Sequence, residues 1–440
     1  MCIGGVMKIK EKEHLKPSPK MSRNRQFFIL SLFPGYFLLI ALVSEPFSDI
    51  LNGLYTIFTE PDILITDYIA LGGIGAAFFN ASILTFMCIG IIYLLKMEIT
   101  GSAITSIFLM MGFSLFGKNI VNIWAILLGV VLYSAYHKEH LSKYIYVGFY
   151  GTSLSPIITE IIYIQELPSA LSFLCSILIG VIMGFCLPPL STHLFYAHKG
   201  FSLYNAGFSA GLIATIVVSV FKSYGMTVET RNIWSTGNNE LFMEVLFGFF
   251  IILFVMGMVL EHGWDVFKKY RHILTADGIM GTNYIARDGL PATLINMAVN
   301  GMFATVYVVA IGGELNGPTI GGIFTIVGFS ATGKHLRNIA PIMIGVWLTS
   351  LTAHWNITDP SVILAALFST TLAPIAGKYG IICGLIAGFL HASLALNISL
   401  INSGMNLYNN GFAGGLIATF LVPIINCIED RRARAKEELL

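Results

Sequence analysis

The sequence predicts an all-α, polytopic membrane protein made of two inverted repeats, each of about five transmembrane helices and one re-entrant hairpin. Three observations predict it. Of 440 residues, 55% are hydrophobic and only 11% charged, with a mean hydropathy of +0.77, whereas soluble domains carry roughly 25% charged residues. The chain also repeats itself. Shifted by 216 positions, residues 66–134 match residues 282–350 at 24 of 69 positions, more than two unrelated apolar helices share. Finally, basic residues fall on alternate connections in the two halves, which sets the halves in opposite senses across a bilayer.

Taken in order, residues 1–26 hold seven basic side chains, from Lys8 to Arg25, and read as a cytoplasmic tail. The apolar run 27–44 is too long for the hydrophobic core of a signal peptide and reads as the first transmembrane helix. A longer run covers 68–95, and the Gly/Ser-rich segment 102–134 reads as the hairpin. Runs at 146–164, 169–190 and 203–222 complete repeat one, 27–225, and a polar stretch, 226–242, reads as an extracytoplasmic linker. Repeat two, 243–428, gives runs at 243–260 and 284–312, a hairpin at 318–350, and runs at 362–377, 380–401 and 406–427. A basic cytoplasmic tail, 429–440, follows. Every run is assigned helix, because lipid offers no partner to backbone N–H and C=O groups. Both repeats close on one phrase, Leu203-Tyr-Asn-Ala-Gly-Phe and Leu407-Tyr-Asn-Asn-Gly-Phe.

Charge orients the runs. After the first run, residues 45–56 carry no Lys or Arg, while half two has Lys268, Lys269 and Arg271. After the hairpin, half one has His137, Lys138, His140 and Lys143, while 351–361 has Asp359 and no Lys or Arg. After the fourth run, Gln165 and Glu166 stand against Lys378. Each comparison inverts, which places both termini in the cytoplasm and an odd number of crossings in each half. The hairpin region is short for two spans of ~20 residues each. Five crossings plus a re-entrant hairpin are therefore preferred to seven crossings with two short helices.

The phrases Gly112-Phe-Ser-Leu-Phe-Gly-Lys118 and Gly328-Phe-Ser-Ala-Thr-Gly-Lys334 put a lysine into apolar sequence twice, where charge is expensive. At a hairpin tip, backbone N–H groups beside glycines and helix N-termini favour an anion. Lys118 with Ser114 and Asn119, and Lys334 with Ser330 and His335, are read on that basis as lining a solute site. The plainer reading has both lysines snorkelling to the membrane interface. Asn205 and Asn409 open the last helix of each half, and Asn80 and Asn296 lie deep in the second runs. They complete the candidate set, against plainer roles as helix caps and interhelical hydrogen bonds.

Other motifs fail on context. Gly328 to Lys334 is one residue from a Walker A loop, but His335 stands where Ser or Thr would bind magnesium, and no strand precedes it. Gly207-Phe-Ser-Ala-Gly211 spells a nucleophile elbow, yet its repeat has Ala413 for Ser209. The recurring glycines read instead as close helix packing. Arg287 with Asp288 reads as an interfacial salt bridge, and His391 and Glu160 as satisfied polar contacts. Six cysteines show no Cys-x-x-Cys spacing, so no disulfide frame, metal or cofactor is expected. A net charge of +1 gives no sign of nucleic acid.

From about residue 27 onward, the paired Gly-Phe-Ser-x-x-Gly-Lys and Leu-Tyr-Asn-x-Gly-Phe phrases resemble a duplicated bacterial integral-membrane family of unknown function, domain of unknown function 1576. That resemblance implies a bacterial cytoplasmic membrane and no particular chemistry. A weaker likeness, in architecture alone, runs to urea channels, from whose uncharged path the two lysines depart. The expectation is secondary transport of a small polar or anionic solute through a midplane site, with a proton or sodium ion as the coupling ion. A passive channel and a membrane enzyme acting on a lipid-linked substrate are the rivals. A non-enzyme is expected, since the only other ionisable pair that recurs prominently, Glu98 and Glu314, sits at span ends. Homo-oligomerisation is left open.

Overall fold

The computed structural model describes residues 21–438 except 63–64, 164–167, 227–230, 262, 399–400 and 402. Cys2, the basic residues Lys8 to Lys20, and Gln165 with Glu166 lie outside the described residues.

Half one runs α1 (Arg23–Ser44), α2 (Phe47–Thr59), α3 (Tyr68–Gly72), α4 (Ile74–Leu94), α5 (Gly101–Phe113), α6 (Trp124–Tyr136), α7 (Ile145–Gly151), α8 (Ser155–Ile162), α9 (Ser169–His198) and α10 (Asn205–Ser223). Half two repeats the order as α11 (Asn239–Leu260), α12 (Asp265–Ile273), α13 (Tyr284–Asp288), α14 (Leu290–Ala310), α15 (Gly317–Phe329), α16 (Leu336–Ser350), α17 (Pro360–Ser369), α18 (Ala373–Tyr379), α19 (Ile381–Ile398) and α20 (Asn409–Glu437). Among the described residues there is no strand, only a bridge between Thr66 and Ile233. Among the described residues, ten helical segments are long and apolar enough to cross a membrane, five in each half, counting α7–α8 and α17–α18 as one each. The chain is thus a multi-pass helical protein of membrane type. Its outer face agrees, since Leu174, Leu178, Val259, Ile382 and Phe420 all stand exposed.

The hairpins are helix–turn–helix units of short helices. Both α5 and α15 have 13 residues, about 20 Å of helix, against a hydrocarbon core of about 30 Å. Three features were not legible beforehand. The second apolar run breaks at Gly73 and Gly289, whose φ of 91° and 90° suit only glycine. Short helices α2 and α12 occupy what reads as loop. The run that follows the hairpin in each half is interrupted by a 3-10 turn, Thr152–Leu154 and Thr370–Leu372. The cause is proline: Pro156 and Pro374 have no N–H for the carbonyl four residues back. Ser155 and Ala373 take up that carbonyl in the tighter turn instead.

The halves meet along their own equivalents. Phe33 touches Phe249, Phe108 stacks on Phe324, and Phe208 tilts onto Phe412. Helices α5 and α15 pack antiparallel, with Gly101 abutting Ala331, Gly112 abutting Gly321, and Gly317 abutting Leu115. Helices α10 and α20 cross at Gly207 and Gly411, where a Cβ on Gly207 would lie 3.2 Å from the Gly411 Cα. The close-packing reading of these glycines therefore holds.

Candidate solute site between the hairpin tips

Each tip is built by asparagines. The Asn80 amide donates to the carbonyls of Ser114 (2.7 Å) and Lys118 (2.8 Å). Asn296 does the same to Ser330 and Lys334, both at 2.8 Å. Asn122 accepts from the Asn119 N–H and donates to the Gly117 carbonyl; Asn338 repeats this with His335 and Gly333. These bonds satisfy backbone groups that the turn leaves without helical partners. Ser114 and Ser330 bond back to the carbonyls of Met110 and Ile326. His335 contacts the Ala276 carbonyl at 2.9 Å. Asn122 and Asn338 were missed as clamps, although their recurrence in both halves was a signal.

The turn so formed aims its lysine inward. Lys118 and Lys334 are each 0% exposed, and among the described residues neither has a carboxylate within salt-bridge distance. The interfacial, snorkelling reading of the lysines is thereby corrected. Lys334 donates to the Tyr204 hydroxyl and, at 2.7 Å, to the Thr370 hydroxyl in the broken helix α17–α18. Its ammonium lies 4.5 Å from the Tyr204 ring centroid and 5.2 Å from that of Phe329, a distance at which an aromatic face attracts a cation. Lys118 donates to the Phe149 carbonyl at 3.3 Å and lies 5.6 Å from the Tyr408 centroid. Each lysine therefore meets the tyrosine of the other half. Tyr204 and Tyr408 in turn touch, with centroids 6.4 Å apart.

A cavity of about 420 Å³ descends to this pair from the side of Thr100, Ser102 and Thr282. Hydroxyls and amides (Thr105, Thr332, Asn205, Asn283) line its walls, and Tyr204, Phe329 and Tyr408 form part of its lining. Tyr408 is buried, and its hydroxyl has no hydrogen-bond partner among the described residues. Of the sequence candidates, Asn205 alone lines this cavity, held by His198 (2.9 Å) and the Ser191 carbonyl (2.8 Å). Asn409 lines a much smaller space, about 40 Å³, bounded by Ile65, Phe116 and Phe368. A third space, of about 750 Å³, lies among apolar residues of α6, α8 and α9 and brings no charged group together.

Sequence reasoning missed Asp62. Its buried carboxylate accepts from Tyr68 (2.7 Å), Asn119 (3.1 Å) and Asn122 (2.9 Å), tying the first hairpin tip to the loop after α2. Burial pushes this carboxyl up to about 7. The repeat has Gly278 at the equivalent position, so the duplication gave no signal for it. Asp67 and Asn283 were also missed. Across the halves, they accept from the first N–H groups of α15 (Gly317, 3.1 Å) and α5 (Gly101, 3.2 Å).

The remaining motifs are structural. Arg287 pairs with Asp288 at 2.6 Å, and Asp288 also meets His272. His391 contacts the Asn410 carbonyl at 3.0 Å. Ser209 is buried in α10 between Ser191 and the Asn205 carbonyl.

A family model described as "Protein of unknown function (DUF1576)" matches residues 47–223 and 263–427, one segment in each half and well over half of the chain. No curated protein and no solved structure matches.

Proposed function

We propose that this chain, which belongs to the DUF1576 family, is a secondary transporter for a small polar or anionic solute and not an enzyme. The supporting observation is the pair of buried lysines, Lys118 and Lys334, held by the hairpins against Tyr408 and Tyr204, two tyrosines that line a cavity whose mainly apolar wall carries several hydroxyls and amides. A lysine buried without a carboxylate is costly, and a carboxylate or phosphate brought by a solute offsets that cost. A membrane enzyme would use a nucleophile or acid beside the lysine; Thr370 bonds Lys334, but its counterpart Thr152 bonds the Phe149 carbonyl, so the duplicated feature is the lysine and not such a pair.

In this reading the repeats are inverted in a bacterial cytoplasmic membrane, with both termini and the mouth of the larger cavity on the cytoplasmic side. Lys96, Lys143, Lys199, Lys268 and Lys378 then share that side, as the distribution of basic loops favours. The antiparallel α5 and α15 suit inversion, because equivalent helices then run in opposite senses. A carrier is favoured over a channel because the large cavity ends on Tyr204 and Tyr408, and the space beyond is only about 40 Å³. A proton or sodium ion is the coupling ion.

The test is thermal stabilisation of the purified protein by acetate, lactate, inorganic phosphate, urea and nucleosides, with and without sodium. A bound solute at about 100 times its dissociation constant adds about 2.7 kcal/mol. Stabilisation by an anion that disappears in Lys334→Gln supports the reading. Stabilisation by neutral solutes alone, unchanged in Lys334→Gln, overturns the anion site.

A further inference from the structure

The two cavities are lined by each other's counterparts. Leu203 and Asn205 of the larger correspond to Leu407 and Asn409 of the smaller; Gly281 and Thr332 correspond to Ile65 and Phe116. Part of the tenfold difference in volume therefore follows from bulkier side chains at 65 and 116. The lysines and tyrosines are identical in the two halves and yet bonded differently. Lys334 is tied to the Tyr204 hydroxyl, whereas Lys118 is tied to the Phe149 carbonyl. Tyr408 contributes to the lining of the larger cavity and has its ring near Lys118, while its hydroxyl is buried without a partner among the described residues. Thr370 accepts from its lysine; the hydroxyl of its counterpart Thr152 donates to the Phe149 carbonyl. A molecule that alternates between two conformations holds equal side chains in two arrangements.

We propose that Tyr204 and Tyr408 are the residues that read the solute, used one at a time. In the state seen here, Lys334 holds Tyr204, and the Tyr408 hydroxyl, buried and unbonded among the described residues beside the larger cavity, is the one left to donate to a carboxylate or carbonyl oxygen. In the exchanged state, Lys118 holds Tyr408, the Tyr204 hydroxyl is released, and the space beside Asn409 and Asn410 enlarges while the first cavity closes. This rests on the transport reading, and adds which groups touch the solute and what exchanges between states. Either tyrosine donates to the same kind of oxygen, so one solute suits both states.

The exchange is tested without a solute. Ala206→Cys, in the larger cavity, and Asn410→Cys, its counterpart in the smaller, are introduced singly after replacing the six native cysteines. Sealed vesicles of both orientations are labelled with a membrane-impermeant maleimide. Tyr204→Phe removes the bond of the present state, and is expected to slow labelling at 206 and speed it at 410. Tyr408→Phe removes the bond of the other state and is expected to do the reverse, each by about tenfold or more for a charge-assisted hydrogen bond. Phenylalanine keeps the ring packing, so both variants fold. Opposite signs support the exchange; equal signs, or no change at either position, overturn it. If the signs are opposite and none of acetate, lactate, inorganic phosphate, urea or the nucleosides binds, the exchange stands and the transport reading falls. If one of these is transported and labelling ignores both tyrosines, the transport reading stands and the exchange falls.

Discussion

Lys334 and Tyr204 stand 130 residues apart, in different halves of the chain, and are joined ammonium to hydroxyl at the centre of the molecule. Neither half completes this contact alone. The second hairpin supplies the lysine, the first half supplies the tyrosine, and the broken helix α17–α18 supplies Thr370.

Because no carboxylate lies within salt-bridge distance of Lys334, its burial opposes folding. Lys334→Met keeps the length of the side chain and removes the charge. Thermal unfolding in detergent is expected to show a gain of ~1–2 kcal/mol, together with loss of any anion-induced stabilisation. A loss of stability of similar size would make the lysine a structural strut.

Asn80 and Asn296 each satisfy two buried carbonyls. Alanine at either position leaves both without that donor, at a cost of ~2–4 kcal/mol, read as a lower midpoint of thermal unfolding. Because the tips hold the lysines, neither variant is expected to retain solute-induced stabilisation.

Asp62 makes stability depend on pH. Burial raises its carboxyl from 3.8 to about 7, so the folded chain keeps this proton when the unfolded chain has lost it. The contribution is fully present below the unfolded value of 3.8, declines as pH rises to about 7, and is level above that. Tyr68, Tyr163 and Arg231, the last paired with Glu60, are ionisable groups near it. Asp62→Asn is expected to flatten the unfolding midpoint across that window. A slope unchanged in the variant would assign the dependence to another group.

Gly207 lets α10 and α20 cross, since a Cβ there would sit 2.9 Å from the Tyr408 Cβ. Gly207→Ala is expected to cost ~1–3 kcal/mol as the helices separate, seen in thermal unfolding. Gly225→Ala, where a Cβ meets nothing within 4 Å although φ is 79°, serves as a control for backbone strain without crowding.

The architecture was largely legible in the sequence. Five apolar runs and a short Gly/Ser-rich hairpin in each half appear as five helical segments long and apolar enough to cross a membrane and a pair of shorter helices. The reason is that hydropathy, helix length and repetition are properties of a segment and its solvent, and need no knowledge of neighbours. Recurrence also picked out Lys118 and Lys334 as unusual, since a charge kept twice in apolar sequence requires a partner.

What those residues do was decided only by the tertiary structure. Snorkelling and burial of a lysine differ by the direction of the tip, and that is fixed by asparagine clamps from α4 and α14. Asn80 and Asn296 recur as visibly as the lysines, yet their amides are spent on backbone carbonyls and do not reach the cavity. Asp62 breaks the repeat, so comparing the halves passed over it. The sequence by itself determined which segments enter the membrane and which residues the halves share. Which of these face one another, and with which bonds, depends on how two folded halves pack. The Lys334–Tyr204 bond is a sum over both halves, and no single stretch of chain encodes it.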